Sequence, residues 1–95
     1  MGTLAISKKH QLSHKKAKEA AQKVADDLKA RFDLDYEWNG DCIEFERPGL
    51  NGELHVDPSE VRLECQLGFL LTALKPMLEA EINKEFGKHF GGKAK

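Results

Sequence analysis

Apolar positions recur along this chain with two different periods, and the switches between them mark its elements. Residues 3–7, Thr-Leu-Ala-Ile-Ser, alternate and include β-branched Thr3 and Ile6, which predicts a short first strand. Beyond residue 13 the period lengthens. Ala17, Ala20, Ala21, Val24, Leu28 and Phe32 fall at three- and four-residue spacing, the apolar stripe of an amphipathic helix. Ser13 suits the N-cap, because its hydroxyl can accept an N–H of the first turn that has no partner within the helix. The stripe opens on alanines, so this helix can lie close to a sheet.

Period two returns in the middle of the chain. Leu34, Tyr36 and Trp38 alternate with Asp35 and Glu37, and Ile43 and Phe45 alternate with Cys42, Glu44 and Glu46. Between them, Asn39-Gly40 is the pair best able to take positive φ in a two-residue hairpin turn. That turn sets Tyr36 opposite Ile43 and Leu34 opposite Phe45, all four on one face. Residues 48–52, Pro-Gly-Leu-Asn-Gly, read as a break. Leu54 and Val56 form the next strand, residues 57–60 a turn, and Val61, Leu63, Cys65 and Leu67 the last strand. A four-residue loop there pairs Val56 with Val61 and Leu54 with Leu63. After Gly68, the residues Leu70, Leu71, Leu74, Leu78, Ile82, Phe86 and Phe90 return to helical spacing. Pro76 has no N–H to donate and suits a first helical turn, so either the helix starts near Lys75 or residues 69–74 form a separate turn. The order is β-α-β-β-β-β-α. This is an α+β domain over residues 1–90, an antiparallel sheet with two helices packed on one face, and residues 91–95 are a flexible tail.

The chain has 95 residues, enough for one domain. At this size only about 60–65% of the unfolded surface is buried on folding, so nearly every large apolar residue is needed in the core. That counts against an enclosed active site. The longest apolar run, residues 67–74, is interrupted by Gly68 and Thr72 and is too short to span a bilayer. The first ten residues are short and mixed for a signal peptide. A cytoplasmic protein with Cys42 and Cys65 as free thiols is therefore expected. The net charge of −1 conceals an asymmetry. Residues 1–32 carry eight bases against three acids, while residues 33–67 carry ten acids against two bases. Attraction between a basic helix and an acidic sheet face within the domain is the expected reason, ahead of a polarity that engages a partner.

Candidate chemistry is sparse. His10, His14, His55 and His89 show no ligand spacing with the cysteines, so surface histidines and no metal are expected. Cys42 and Cys65 fall on opposite sheet faces by parity. Asp35, Glu37, Glu44, Glu46, Glu53 and Glu64 share one face, and a solvated face explains them better than general acid–base work. No cofactor motif is present. Lys15, Lys16 and Lys18 look like the basic helix start of double-stranded RNA-binding domains, but in that family this helix follows the strands; nucleic acid is the least favoured partner. Residues 67–74 are denser in apolar side chains than one helix face needs. Phe69, Leu70, Leu71 and Leu74 are thus the candidate apolar binding or oligomer interface. The competing reading is a small lipid-like ligand in a cavity lined by Tyr36, Trp38 and Phe45 with Arg47 at its mouth, an analogy of fold alone.

The chain also resembles a family of small bacterial proteins, the polyhydroxyalkanoic acid system proteins associated with polyester storage granules. The matching residues are His10 and Leu12, then Tyr36-x-Trp38-x-Gly40-Asp41, Phe45-x-Arg47-x-Gly49, Gly52 and Val56. Leu67-Gly68-Phe69-Leu70-Leu71 follows, with Lys75, Glu79 and Ile82. Pro76 directly after Lys75 departs from the pattern. The resemblance implies a bacterial, cytoplasmic protein acting near the polyester granule surface or a granule-associated protein. No catalytic residues come with it, so the expected activity is non-enzymatic binding.

Overall fold

The computed structural model describes residues 2–90, the side chain of Leu70 excepted. Strand β1 (Gly2–Lys9) leads through helix α1 (His14–Phe32) into a four-stranded meander of β2 (Asp35–Asn39), β3 (Cys42–Arg47), β4 (Leu50–Val56) and β5 (Glu60–Leu67). A 3₁₀ helix (Phe69–Leu74) then runs directly into α2 (Lys75–Phe90). The sheet order is β1-β5-β4-β3-β2 and every pairing is antiparallel. β1 and β2 thus form opposite edges, and α1 carries the chain across one face between them. This is the α+β arrangement that the periodicity predicts. Residues 91–95, read from the sequence as a tail, lie outside the described residues.

Helix α1 starts where the capping chemistry puts it. Ser13 Oγ accepts from Lys16 N at 3.2 Å, and Asp33 ends the helix in the left-handed conformation (φ 59°) while its N–H donates to Lys29 O. The alanine stripe does what small residues permit: Ala17, Ala21, Val24 and Ala25 are completely buried against the sheet. α1 lies over β2 and β4, α2 lies over β1, and the two helices pack side by side. Between the layers sit Ile43, Phe45, Leu54, Leu63, Leu28, Leu78, Ile82 and Phe86. Gly52 faces this core. A Cβ there would meet Cys65 Sγ and Glu64 O at 3.2 Å each, so a side chain would force its neighbours to give by a few tenths of an ångström.

Two details differ from the sequence reading. In the first hairpin Trp38 pairs with Ile43 and Tyr36 with Phe45, so Gly40-Asp41, not Asn39-Gly40, forms the turn. Of the two turn residues only Gly40 has positive φ, 67°, which is the requirement of a turn with glycine at its first central position. Asn39 can then stay in the ladder opposite Cys42. The shift changes partners but not faces, because the sum of paired positions moves by two. The break at residues 48–52 is also shorter than its composition suggests. Pro48-Gly49 alone makes the turn, with φ 87° at Gly49, and Leu50 already pairs with Arg47. The second hairpin has the predicted register, Val56 with Val61 and Leu54 with Leu63. The ambiguity at Pro76 resolves with both of its options true. α2 begins at Lys75, which places Pro76 in the first turn, and residues 69–74 are a separate 3₁₀ helix.

The side of the sheet away from the helices carries the acids. Glu37, Glu44, Glu53 and Glu64 are direct cross-strand neighbours, a row of four carboxylates spanning β2 to β5, and Asp35 faces Glu46 beside it. The lysines of α1 are on the other side of the sheet. Their link to the acidic segment is at the hairpin tip, where Lys18 and His14 reach Asp41 at 3.4 and 3.1 Å. The charge asymmetry is therefore spread across two faces and is not absorbed by attraction within the domain. Like charges directly opposite in a sheet destabilise it. Replacing Glu44 by Gln, with a glutamate on either side, should raise stability by roughly 0.3–1 kcal/mol at low salt, and the gain should shrink as salt screens the row. Urea titrations at two ionic strengths measure this. In the same assay Ala21→Leu should cost about 1–3 kcal/mol, since the added volume has to push α1 off the sheet.

Candidate functional site

The apolar segment after β5 is built on two glycines. Gly68 donates its N–H to Gly49 O at 2.7 Å, and a Cβ on Gly68 would lie 3.3 Å from that same oxygen. Leu71 closes over the turn from above, near enough that a Cβ on Gly49 would sit 3.1 Å from Leu71 Cδ1. Leu71 N and Thr72 Oγ1 both donate to Gly68 O, at 3.0 and 3.1 Å, and wind the chain into the 3₁₀ turn. The helix is thus pinned to the β3–β4 turn by its inward side. Leu71 and Leu74 are half-buried, whereas Phe69 is 82% exposed. Met77, in the first turn of α2, is 61% exposed. These two are the exposed large apolar side chains among the described residues, and with exposed Ala73 they recur every four residues along one run of chain. Met77 escapes a reading based on apolar density because Lys75 and Pro76 separate it from the run.

The other candidate residues are committed to holding the fold. Trp38 Nε1 donates to Gln22 Oε1 at 2.6 Å, and the Tyr36 hydroxyl meets Gln22 and Asp26. Asp26 also raises the Tyr36 pKa above its usual value. Both rings tie β2 to α1. Phe45 is buried against Tyr36, and Arg47 Nη1 donates to Phe32 O at 2.7 Å, at the carbonyl end of α1 where a cation is favoured. Among the described residues the four line no common cavity, although Tyr36 and Phe45 both border the open trough on the outer face. The apolar void between helices and sheet touches Phe45 but not Tyr36, Trp38 or Arg47, and its volume of about 10 Å³ holds no more than one water. The concave outer face of the sheet forms an open trough of about 920 Å³, and Asp35, Glu37, Glu44, Glu46, Glu53 and Glu64 line it. Of the lysines on α1, Lys18 is engaged with Gly40 O and the Trp38 ring, while Lys15 and Lys16 are exposed.

Two histidines expected at the surface are placed otherwise. His10 is buried. Its Nδ1 accepts from Leu12 N at 3.1 Å and its Nε2 donates to Asp57 O at 3.0 Å, which holds the ring between the start of α1 and the β4–β5 turn. His89 lies against Asp27 and Glu85 between the helices, and only 14% of its side chain is exposed. Burial and then the neighbouring Asp27 push Glu85 up to about 7, while Glu85 in turn holds Asp27 below its usual range. On the outer face Cys42, Glu53 and His55 come within 4.8 Å of one another, but His55 Nε2 bonds Glu53 at 2.9 Å and not the thiol. Cys42 is raised by burial, then by Glu53 and Glu44, and burial pushes Cys65 up to about 11. Both stay protonated thiols, poor nucleophiles at neutral pH.

Most residues that carry the resemblance have structural tasks. His10 pins a turn, Tyr36 and Trp38 anchor α1, Gly49 and Gly68 seat the 3₁₀ helix, and Gly52 clears space beside Cys65. Among the described side chains of that set, Phe69 is the large apolar one that faces outward. No helix among the described residues is long and apolar enough to cross a membrane. Neither the curated proteins nor the solved structures offer a match to the chain. A family model described as "Putative polyhydroxyalkanoic acid system protein" matches residues 4–90, and the chain belongs to that family.

Proposed function

We propose that the protein is a non-enzymatic accessory component of a polyester storage system and that it attaches to the apolar polyester surface through the corner formed by Phe69–Leu74 and Met77. The observation that carries this reading is the 82% exposure of Phe69 and 61% exposure of Met77 on a segment otherwise clamped to the fold. A rigid 3₁₀ helix holding an aromatic ring outward loses little conformational freedom on binding, which lowers the cost of attachment. Family membership supports a polyester as the surface. Protonated thiols and a solvated carboxylate face support binding over catalysis.

Magnitudes shape the mechanism. Burying one large apolar side chain is worth about 1.5–3 kcal/mol, so two give weak and reversible attachment once association costs are met. A granule offers a continuous apolar surface on which many copies can bind at once. Amorphous polyhydroxyalkanoate particles sedimented with the protein test the idea. The wild type should pellet with the particles in a saturable way, and Phe69→Asp with Met77→Asp should lower the bound fraction at least about tenfold. Both side chains point outward, so circular dichroism of the double variant should match the wild type. Equal pelleting of the two proteins would remove this corner from the mechanism.

A further inference from the structure

Glu85 is a buried carboxylate in the middle of α2, 3% exposed, and among the described residues no lysine or arginine lies within ion-pair distance of it. Burying a lone charge is costly unless something neutralises it. Its neighbours are other ligand-type groups. His89 follows one turn later on the same face, and Asp27 approaches from α1. One ligand atom from each of Asp27, Glu85 and His89 lies within 4.8 Å of the others. His89 Nε2 is 3.2 Å from Glu85 Oε1 and 3.5 Å from Asp27 Oδ2. Yet Glu85 Oε1 and His89 Nε2, both buried, make no hydrogen bond, because the close atoms are not aligned for one. Around a tetrahedral ion with bonds of about 2.0–2.1 Å, donor atoms sit about 3.3–3.4 Å apart. The spacing and the missing alignment are what atoms aimed at a common centre would show.

We propose that Asp27, Glu85 and His89 bind a first-row divalent metal ion between α1 and α2. One imidazole and two carboxylates are a donor set that zinc, manganese and ferrous iron accept. The Asp27 side chain is 42% exposed, which gives the ion a route in from solvent and leaves water a coordination position. Glu81, one turn before Glu85, pairs with Arg31 at 3.0 Å, which offsets the charge of this further carboxylate beside the site. The ion clamps the second helix to the first. The cluster Cys42–Glu53–His55 is the weaker candidate, since its imidazole nitrogen is already bonded to Glu53.

Chelator-stripped full-length protein titrated with Zn²⁺ by calorimetry, and with Co²⁺ by visible absorption, tests the site. One equivalent should bind, the melting temperature should rise, and the Co²⁺ spectrum should show d–d bands without a thiolate charge-transfer band. Asp27→Asn changes a half-exposed side chain outside the apolar core and should weaken Zn²⁺ at least about tenfold; Glu85→Gln should do the same, and Cys42→Ser should change nothing. Absence of saturable binding by the wild type overturns the proposal. So does unchanged affinity in Asp27→Asn, or loss of binding in Cys42→Ser. None of these readouts involves polyester, so the result is independent of the surface-binding test.

Discussion

Close contact between the alanine face of α1 and the apolar face of the sheet sets the geometry on which the other features depend. Ala17, Ala21 and Ala25 have no side chain beyond Cβ to hold the helix away, so its backbone settles low over β2 and β4. At that height Gln22 reaches Trp38 and Tyr36, and Arg47 reaches the last turn of α1. The space left over β1 accommodates α2. Its apolar residues Leu78, Ile82, Phe86 and Phe90 complete the core, and Phe90 lies against the buried His10 ring.

Among the described residues both helices lie on one face of the sheet and nothing covers the other, and this is where the carboxylates collect. A core-facing carboxylate would need a partner, whereas an outward one needs only water. The row Glu37–Glu44–Glu53–Glu64 still repels itself, so it is a cost to stability that solvation reduces but does not remove. The molecule is polar across its sheet as a result, with lysines over the helical layer and acids beneath. The side-by-side packing of α1 and α2 has a second consequence. It traps Glu85 beside Asp27 and His89, where ordinary packing would favour an apolar residue.

The apolar corner follows from the way the chain leaves the sheet. β5 ends at Leu67, and the glycine-on-glycine contact of Gly68 with Gly49 turns the chain before α2 can begin. Leu71 is drawn inward onto the turn, which rotates Phe69 outward. A surface-binding residue is thereby placed by backbone packing and not by its own preferences.

Local chemistry determined a great deal of this protein. Periodicity, the Ser13 cap and the 57–60 turn specified the order β-α-β-β-β-β-α, the start of α1, the inward and outward residues of the alternating segments and the register of the second hairpin, while the first residues of β4 were hidden in the turn-rich 48–52. These follow from interactions between residues near in sequence, which a single chain displays openly. The first hairpin's register shifted by one turn position, with Gly40 as the first central residue, because both placements of the turn keep the same side chains on the same faces and the hydrophobic pattern does not separate them. The candidate surface was legible as an excess of apolar residues at 69–74, but which of them face solvent was not. Phe69 and Met77 emerge only when Gly49 captures Leu71. Among the described residues Tyr36, Trp38, Phe45 and Arg47 line no common cavity, and α1, seated so low, takes Trp38 and Arg47 as partners instead. Asp27 and Glu85 stand 58 positions apart in the chain, and no spacing rule links them. Glu85 and His89 share a face of α2 by their four-residue spacing, but the approach of Asp27 is decided by helix-on-helix packing, a long-range contact that only the folded tertiary structure creates.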